Sequence, residues 1–145
     1  MNLLNLKSAI LFGVVTLSCT SALGSKGDVD YRHYAMESIG GHMQAIRKIV
    51  RREVTHCEHL ILHANAMADM ASMTPDLFPE GSEGRETLPA VWEQPEDFSK
   101  RLDAFRSAAE TFKKAAVSGD SGLIRSAIRG LGQSCKGCHD NYREE

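Results

Sequence analysis

Apolar residues recur at alternating three- and four-residue steps in four separate stretches of this 145-residue chain. This spacing is typical of helices that bury one side and expose the other. The stretches span residues 29–50, 57–71, 98–116 and 124–142. No stretch alternates with a period of two for long enough to form a strand. The sequence therefore predicts an all-α fold, an antiparallel four-helix bundle.

Residues at the predicted helix ends agree with this interpretation. Pro95 suits a first helical turn, where a missing N–H costs nothing, and acidic residues follow it. Gly119 can end the third long helix, and Asp120 or Ser121 can cap the fourth. These signals predict a tight connection between the third and fourth helices.

The second and third helices are joined by one long connection, residues 74–94, which we call the crossover. It holds three of the four prolines and the only tryptophan, Trp92. Connections of this length in compact domains are usually functional or disordered. Because Phe78 and Trp92 are large and apolar, we expect a packed crossover that covers an apolar feature.

The composition indicates one globular domain and excludes one class of partner. Apolar content is 42% and charged content 25%, which are ordinary values for a folded protein. The formal net charge is −2, with no lysine-rich arm. Nucleic-acid binding depends on clustered basic residues, so the sequence argues against it.

The first 24 residues differ from the rest. A short, weakly basic start is followed by the apolar run 9–17 and by small residues that include Ala22 and Gly24. This order matches a secretory signal peptide, and the run is too short to span a bilayer. A buried N-terminal helix, or a lipoprotein signal at Cys19, is the alternative. We expect a signal peptide over 1–24, export to the periplasm without a membrane anchor after cleavage, and a folded domain over 25–145.

The last predicted helix contains Cys135-Lys136-Gly137-Cys138-His139, which is C-x-x-C-H, the attachment signature of haem c. Positions i, i+3 and i+4 share one helix face, so two thiols can reach the two vinyl groups of a haem while His139 ligates the iron. A thioredoxin-like C-x-x-C belongs at a helix start after a strand, and a structural zinc site needs further ligands. Neither alternative fits. One covalently bound haem c is the predicted cofactor, and Gly132, three residues before Cys135, either leaves room for it or makes a helix–helix contact.

The chain also resembles the cytochrome c′ family, with the related cytochromes c-556. The resemblance lies in the haem-binding segment 135–143, in Tyr31-Arg32 followed by Met36, and in the segment 77–84 followed by Trp92. It implies a four-helix bundle with haem near the C-terminal end, a periplasmic location and, often, a homodimer through the first two helices. It also implies His139 as the proximal iron ligand.

Four further site residues come from the resemblance and from the crossover. Arg143 corresponds to the basic residue beside the proximal imidazole, although it could instead complement the helix dipole. Arg32 could pair with a haem propionate or form a surface ion pair. Phe78 and Trp92 are placed next to the cofactor by the crossover.

Met36 corresponds to the position on the other side of the iron from His139, and two functions follow. If its sulfur binds iron, the haem is six-coordinate, with a raised potential, and exchanges electrons with redox partner proteins. If it only packs there, the haem is five-coordinate and binds nitric oxide or carbon monoxide. Electron transfer is the leading prediction because both states permit it. No acid–base group is placed for catalysis in the sequence, so we expect a carrier rather than an enzyme.

A second group of metal-capable side chains comprises His56, Cys57, His59 and His63. His59 and His63 have the i, i+4 spacing that can clamp a metal, although histidines on amphipathic helices are commoner than metal sites. Cys57 falls on the predicted buried stripe, which favours a small core residue over a reactive thiol or an intersubunit disulfide. We expect His33 and His42 to be exposed.

Overall fold

The computed structural model describes residues 24–144, and the predicted signal peptide lies outside this range except for Gly24. Four long helices dominate: α1 (Lys26–Val50), α2 (His59–Met73), α4 (Pro95–Ser118) and α5 (Ser121–Tyr142). A 3-10 helix (Thr74–Leu77) directly follows α2, and one short helix, α3 (Ala90–Glu93), precedes α4. Residues 24–144 contain no strand, only two isolated bridges, so the predicted all-α four-helix bundle is confirmed. None of the described helices is long and apolar enough to cross a membrane.

Local capping explains where the helices begin and end. Ser25 caps α1: its hydroxyl accepts from the Asp28 N–H, while the Asp28 carboxylate accepts from the Ser25 N–H at 2.6 Å. Helix α1 therefore starts three residues earlier than its apolar stripe. Pro95 occupies the first turn of α4, and Gly119 ends that helix with a φ of 70°, the left-handed conformation that favours glycine. The Asp120 carboxylate caps α5.

The packing order leaves one side of the bundle open. Helix α1 packs on α2, α2 on α4 and α4 on α5, whereas α1 and α5 make few direct contacts. The main core is most tightly buried at Ile46, Met67, Phe112 and Leu131, one from each long helix. A cavity between α1, α4 and α5 remains towards the C-terminal end of α5.

The crossover packs against this end of the bundle, as predicted. Phe78 meets the ring of Phe98 edge-on at 4.8 Å, and Phe98 meets Tyr142 in the same way at 5.0 Å. Trp92 and Cys138 pack against the same apolar cluster. The crossover therefore contacts both α4 and the final turn of α5, and it forms one wall of the cavity.

Three predictions about the burial of side chains were wrong. Cys57 is exposed and precedes α2, because the chain turns through residues 51–58 and the helix begins only at His59. It is not a core residue. His33 and His42 are half-buried rather than exposed. His33 lines the cavity, and His42 contacts His63 of α2.

Candidate functional site

Helix α5 presents Cys135, Cys138 and His139 to one cavity, as their i, i+3, i+4 spacing predicts. Both cysteines are half-buried free thiols, and His139 is exposed at the edge of the cavity. Helix α5 ends just after them, where the Arg143 N–H donates to the His139 carbonyl at 3.2 Å. The last helical turn therefore fixes the spacing of two sulfurs and one imidazole.

Apolar side chains form the walls of this cavity, whose volume is about 630 Å³. Such a volume is within the range of roughly 300–1,000 Å³ that is usual for cofactor sites. Helix α1 contributes Met36, Ile39, Gly40 and Met43, and α4 contributes Phe98, Leu102 and Phe105. Apolar walls with two thiols and one imidazole on a single face match the donor set and the shape that a covalently held haem requires. The residues present fit that group.

The rim of the cavity is more basic than acidic. Arg32, Arg47, Arg85, Arg101 and Arg143 line it, against Glu37 and Glu86. An excess of guanidinium groups at an apolar cavity suits a ligand that carries carboxylates. Sequence reasoning missed Arg47 and Arg101, although Arg47 follows Gly40 and Met43 at helical spacing and could have been found in that way.

Burial keeps the thiols of the site protonated. It raises the pKa of Cys138 to about 11, and it also raises the pKa of Cys135, against the weaker opposite effect of Arg47. The pKa of His139 is lowered, first by desolvation where its ring meets the cavity and then by Arg143. His139 is therefore neutral at pH 7, which is the form that can ligate a metal.

The structure brings most of the predicted site residues to the cavity. Met36, Phe78 and Arg143 line it, and Met36 is half-buried. Gly132 and Trp92 do not line it. A Cβ on Gly132 would instead approach the Arg47 guanidinium at 4.0 Å, and the Trp92 indole N–H donates to the Pro79 carbonyl at 3.2 Å.

Arg32 lines the cavity but is held by the crossover. Its guanidinium donates to the Leu77 carbonyl at 3.1 Å, to the Ser82 hydroxyl at 2.8 Å and to the Ser82 carbonyl at 2.7 Å. The Phe78 and Trp92 rings lie within 6 Å of it, at 5.2 and 5.9 Å. The side chain is only 3% exposed, so the surface ion pair considered for Arg32 is wrong. Pairing with a propionate stays a prediction.

His33 is a cavity residue that the sequence did not indicate. Its ring nitrogens lie 3.5 Å from a Glu37 carboxylate oxygen and 3.8 Å from one of Glu86. Glu86 belongs to the segment that bridges Thr87 to Arg143, so His33 connects α1 to the C-terminal end of α5. No local sequence signal could have found the contact between His33 and Glu86, because it depends on how the crossover folds.

Comparison with known proteins agrees with this site. Residues 28–143 match the family model described as cytochrome C′. The cytochrome c′ of Pararhodospirillum photometricum is 36% identical over 121 residues, which are 80% of this chain and 95% of that protein. The cytochrome c-556 of Agrobacterium fabrum is 32% identical over 145 residues, 99% of this chain and 97% of the relative.

Solved structures show the same architecture. The nitric oxide complex of a cytochrome c prime mutant from Alcaligenes xylosoxidans superposes with a TM-score of 0.78 at 25% identity, covering 83% of this chain and 95% of that one. A carbon monoxide-bound variant of the same protein gives a TM-score of 0.76 at 25% identity, covering 81% and 94%. With the family model spanning nearly all of the described residues, this chain belongs to the cytochrome c′ family.

Proposed function

We propose that this chain is a periplasmic monohaem c-type cytochrome that transfers electrons through a haem c held by Cys135, Cys138 and His139. The observation that carries the proposal is the placement of these three side chains along one wall of an apolar cavity. When bound, a haem supplies a one-electron iron couple. Family membership implies that cofactor, and the donor set of this chain fits it.

The residues of the cavity have separate tasks in this proposal. The Cys135 and Cys138 thiols would hold a haem through thioether bonds, so the cofactor would not dissociate. His139, neutral at pH 7, would ligate its iron, and Arg143 places a positive charge near that imidazole, which would weaken its electron donation. The apolar walls from α1 and α4 exclude water, which limits reorganisation when the charge of the iron changes.

Met36 is the residue on which the coordination state depends. It lines the cavity from α1, opposite the helix that carries His139. A thioether ligand is soft and favours reduced iron, so ligation by Met36 would raise the potential and close the site to gases. The likeness to the cytochrome c-556 of Agrobacterium fabrum along the whole chain supports electron transfer as the leading function.

Gas binding is the second candidate, and one observation favours it. Solved structures similar to this chain include a nitric oxide complex and a carbon monoxide-bound form. If Met36 only packs in the cavity, the sixth iron position is open to such diatomic molecules. The chain would then bind nitric oxide or carbon monoxide rather than serve only as an electron carrier.

The cellular setting is part of the same proposal. Residues 1–24 are a signal peptide, export places the domain in the periplasm, and redox partner proteins exchange electrons with it there. The family match begins at residue 28, which supports a division between a leader and a folded domain. The family resemblance implies a homodimer through α1 and α2. A carrier rather than an enzymatic role rests on the sequence, which places no second acid–base group for catalysis.

Visible spectra of the purified holoprotein test the proposal. In the oxidised and reduced states, with and without carbon monoxide, electron transfer through a Met36-ligated haem predicts sharp low-spin bands that the gas does not move. A high-spin spectrum that shifts on adding carbon monoxide would contradict Met36 ligation and support gas binding.

Two methionine variants test whether Met36 is the side chain that keeps the haem low-spin. Met36→Ala should convert the low-spin spectrum to a high-spin one that responds to carbon monoxide. Met43→Ala is the matched control, since Met43 lines the same cavity two turns later on α1 and should leave the low-spin bands unchanged. Low-spin bands retained in Met36→Ala, as in Met43→Ala, would exclude Met36 as a ligand.

A further inference from the structure

A pair of histidines joins α1 to α2 outside the haem cavity. The Nδ1 atoms of His42 and His63 lie 2.9 Å apart, and their rings meet edge-on with centroids 5.2 Å apart. Both residues are half-buried, and neither lines the cavity. Two neutral imidazoles at this distance share one proton, so one nitrogen donates and the other offers its lone pair.

The distance between these nitrogens is close to the distance between two ligands of one metal ion. Two nitrogen ligands about 2.1 Å from one ion are about 3.0 Å apart at a right angle and about 3.4 Å apart at a tetrahedral angle, so the pair would open by at most about 0.5 Å on binding. Because His42 and His63 come from two packed helices, little rearrangement separates the hydrogen-bonded pair from a chelating pair. Burial, followed by the neighbouring His42 and His59, lowers the pKa of His63, which favours the neutral imidazole that can ligate a metal.

A third imidazole lies one turn away on α2. His59 precedes His63 by four residues, the spacing at which two helical side chains share a face. Its ring stacks on His56 at 5.0 Å, and its Nε2 lies 3.6 Å from a Glu58 oxygen. Its ring nitrogens are therefore grouped with His56 and Glu58, within 4.8 Å of their ligand atoms, and not with the pair.

We propose that His42 and His63 form a binding site for a divalent transition-metal ion that prefers nitrogen ligands, such as Zn²⁺, with water completing the coordination shell. Imidazole nitrogen suits zinc, copper and nickel rather than the hard ions magnesium and calcium. An ion held there links α1 to α2 and stabilises the bundle. The site is independent of the haem, so its failure would leave the proposed electron-transfer function untouched.

The competing position is the exposed group His56, Glu58 and His59, whose ligand atoms all lie within 4.8 Å of one another. This group is exposed and lies where α2 begins, with only His59 inside the helix. The positive end of the helix dipole disfavours a cation at that position. The half-buried pair is deeper in the helix and already has its nitrogens at a chelating distance.

Zinc titration of the holoprotein tests the proposal. Calorimetry should show Zn²⁺ binding at a stoichiometry of one, and thermal unfolding should shift upward by about 5 °C at a Zn²⁺ concentration tenfold above the dissociation constant. Mg²⁺ should produce neither effect. His63→Gln and His42→Asn should each weaken Zn²⁺ binding about tenfold or more, since the second ligand of a chelate acts at a high effective concentration.

Matched variants separate the pair from its neighbours. His56→Gln, Glu58→Gln and Cys57→Ser should retain Zn²⁺ binding, because they alter only the exposed segment. The visible haem spectrum should be unchanged in all five variants, which verifies that each is folded, and either variant of the pair suffices for the test. Absence of Zn²⁺ binding, or its loss in His56→Gln or Glu58→Gln with retention in His63→Gln or His42→Asn, would overturn the proposal.

Discussion

Replacing Arg32 by methionine tests how the crossover is fixed over the cavity. The change keeps an unbranched apolar stem and removes the guanidinium that donates to Leu77 and Ser82. In the wild-type protein this charge is nearly inaccessible to water, and burial lowers its pKa. The three hydrogen bonds are therefore formed at the cost of desolvating a cation.

The expected loss follows from the hydrogen bonds that disappear. A hydrogen bond to a charged group contributes about 1.5–3 kcal/mol, and a buried acceptor left without a partner carries a similar penalty. The desolvation cost that the variant avoids offsets part of this sum. We expect Arg32→Met to lower the free energy of unfolding by about 3 kcal/mol, equivalent to roughly 10 °C in Tm for a domain of this size.

Thermal unfolding of the holoprotein, followed by circular dichroism, measures the shift. Arg85→Met is the matched control, because Arg85 also lines the cavity and pairs with Asp30 at 2.9 Å, but both side chains are well exposed. Such surface pairs contribute at most about 1 kcal/mol. If Arg32→Met shifts Tm no more than Arg85→Met does, the crossover is not held by the buried guanidinium.

Three further changes have defined outcomes. Phe112→Ala empties a fully buried core position and should cost about 4 kcal/mol in chemical denaturation; a loss below about 1 kcal/mol would contradict the packing. Asp120→Ala removes the N-cap of α5 and should cost about 1 kcal/mol, with Asp120→Asn retaining most of the stability. The pKa of His63 is lower in the folded chain than its ordinary 6.5, so the unfolded state takes up the proton first and the free energy of unfolding falls as the pH drops below about 6.5. His63→Gln should make that fall shallower, and an unchanged pH profile would show that this imidazole does not contribute.

Features that depend on neighbouring residues in the chain were predictable from the sequence. The four helices follow from apolar spacing, and Pro95, Gly119 and Asp120 mark their ends by local backbone chemistry. Cys135 and His139 meet at the cavity because one helix carries them both at i, i+4 spacing. A single helix fixes this geometry, whatever the rest of the chain does.

Features that join distant segments were not predictable. The partners of Arg32 lie 45 and 50 residues later in the chain, and two of its three acceptors are carbonyls that no side-chain pattern reveals. The contact of His42 with His63 depends on the register between α1 and α2. Cys57 was misplaced for a related reason, since extending a 3.6-residue period cannot show where a turn interrupts the helix.

The central claim, a haem fixed covalently to Cys135 and Cys138, is tested most directly by the intact mass of the denatured protein. The protein should be produced in a host that can mature haem c, and the mass compared with that of the Cys135→Ala, Cys138→Ala double variant. The account predicts a polypeptide mass increased by one haem in the wild type and no increase in the double variant. A wild-type mass equal to that of the bare polypeptide would contradict it.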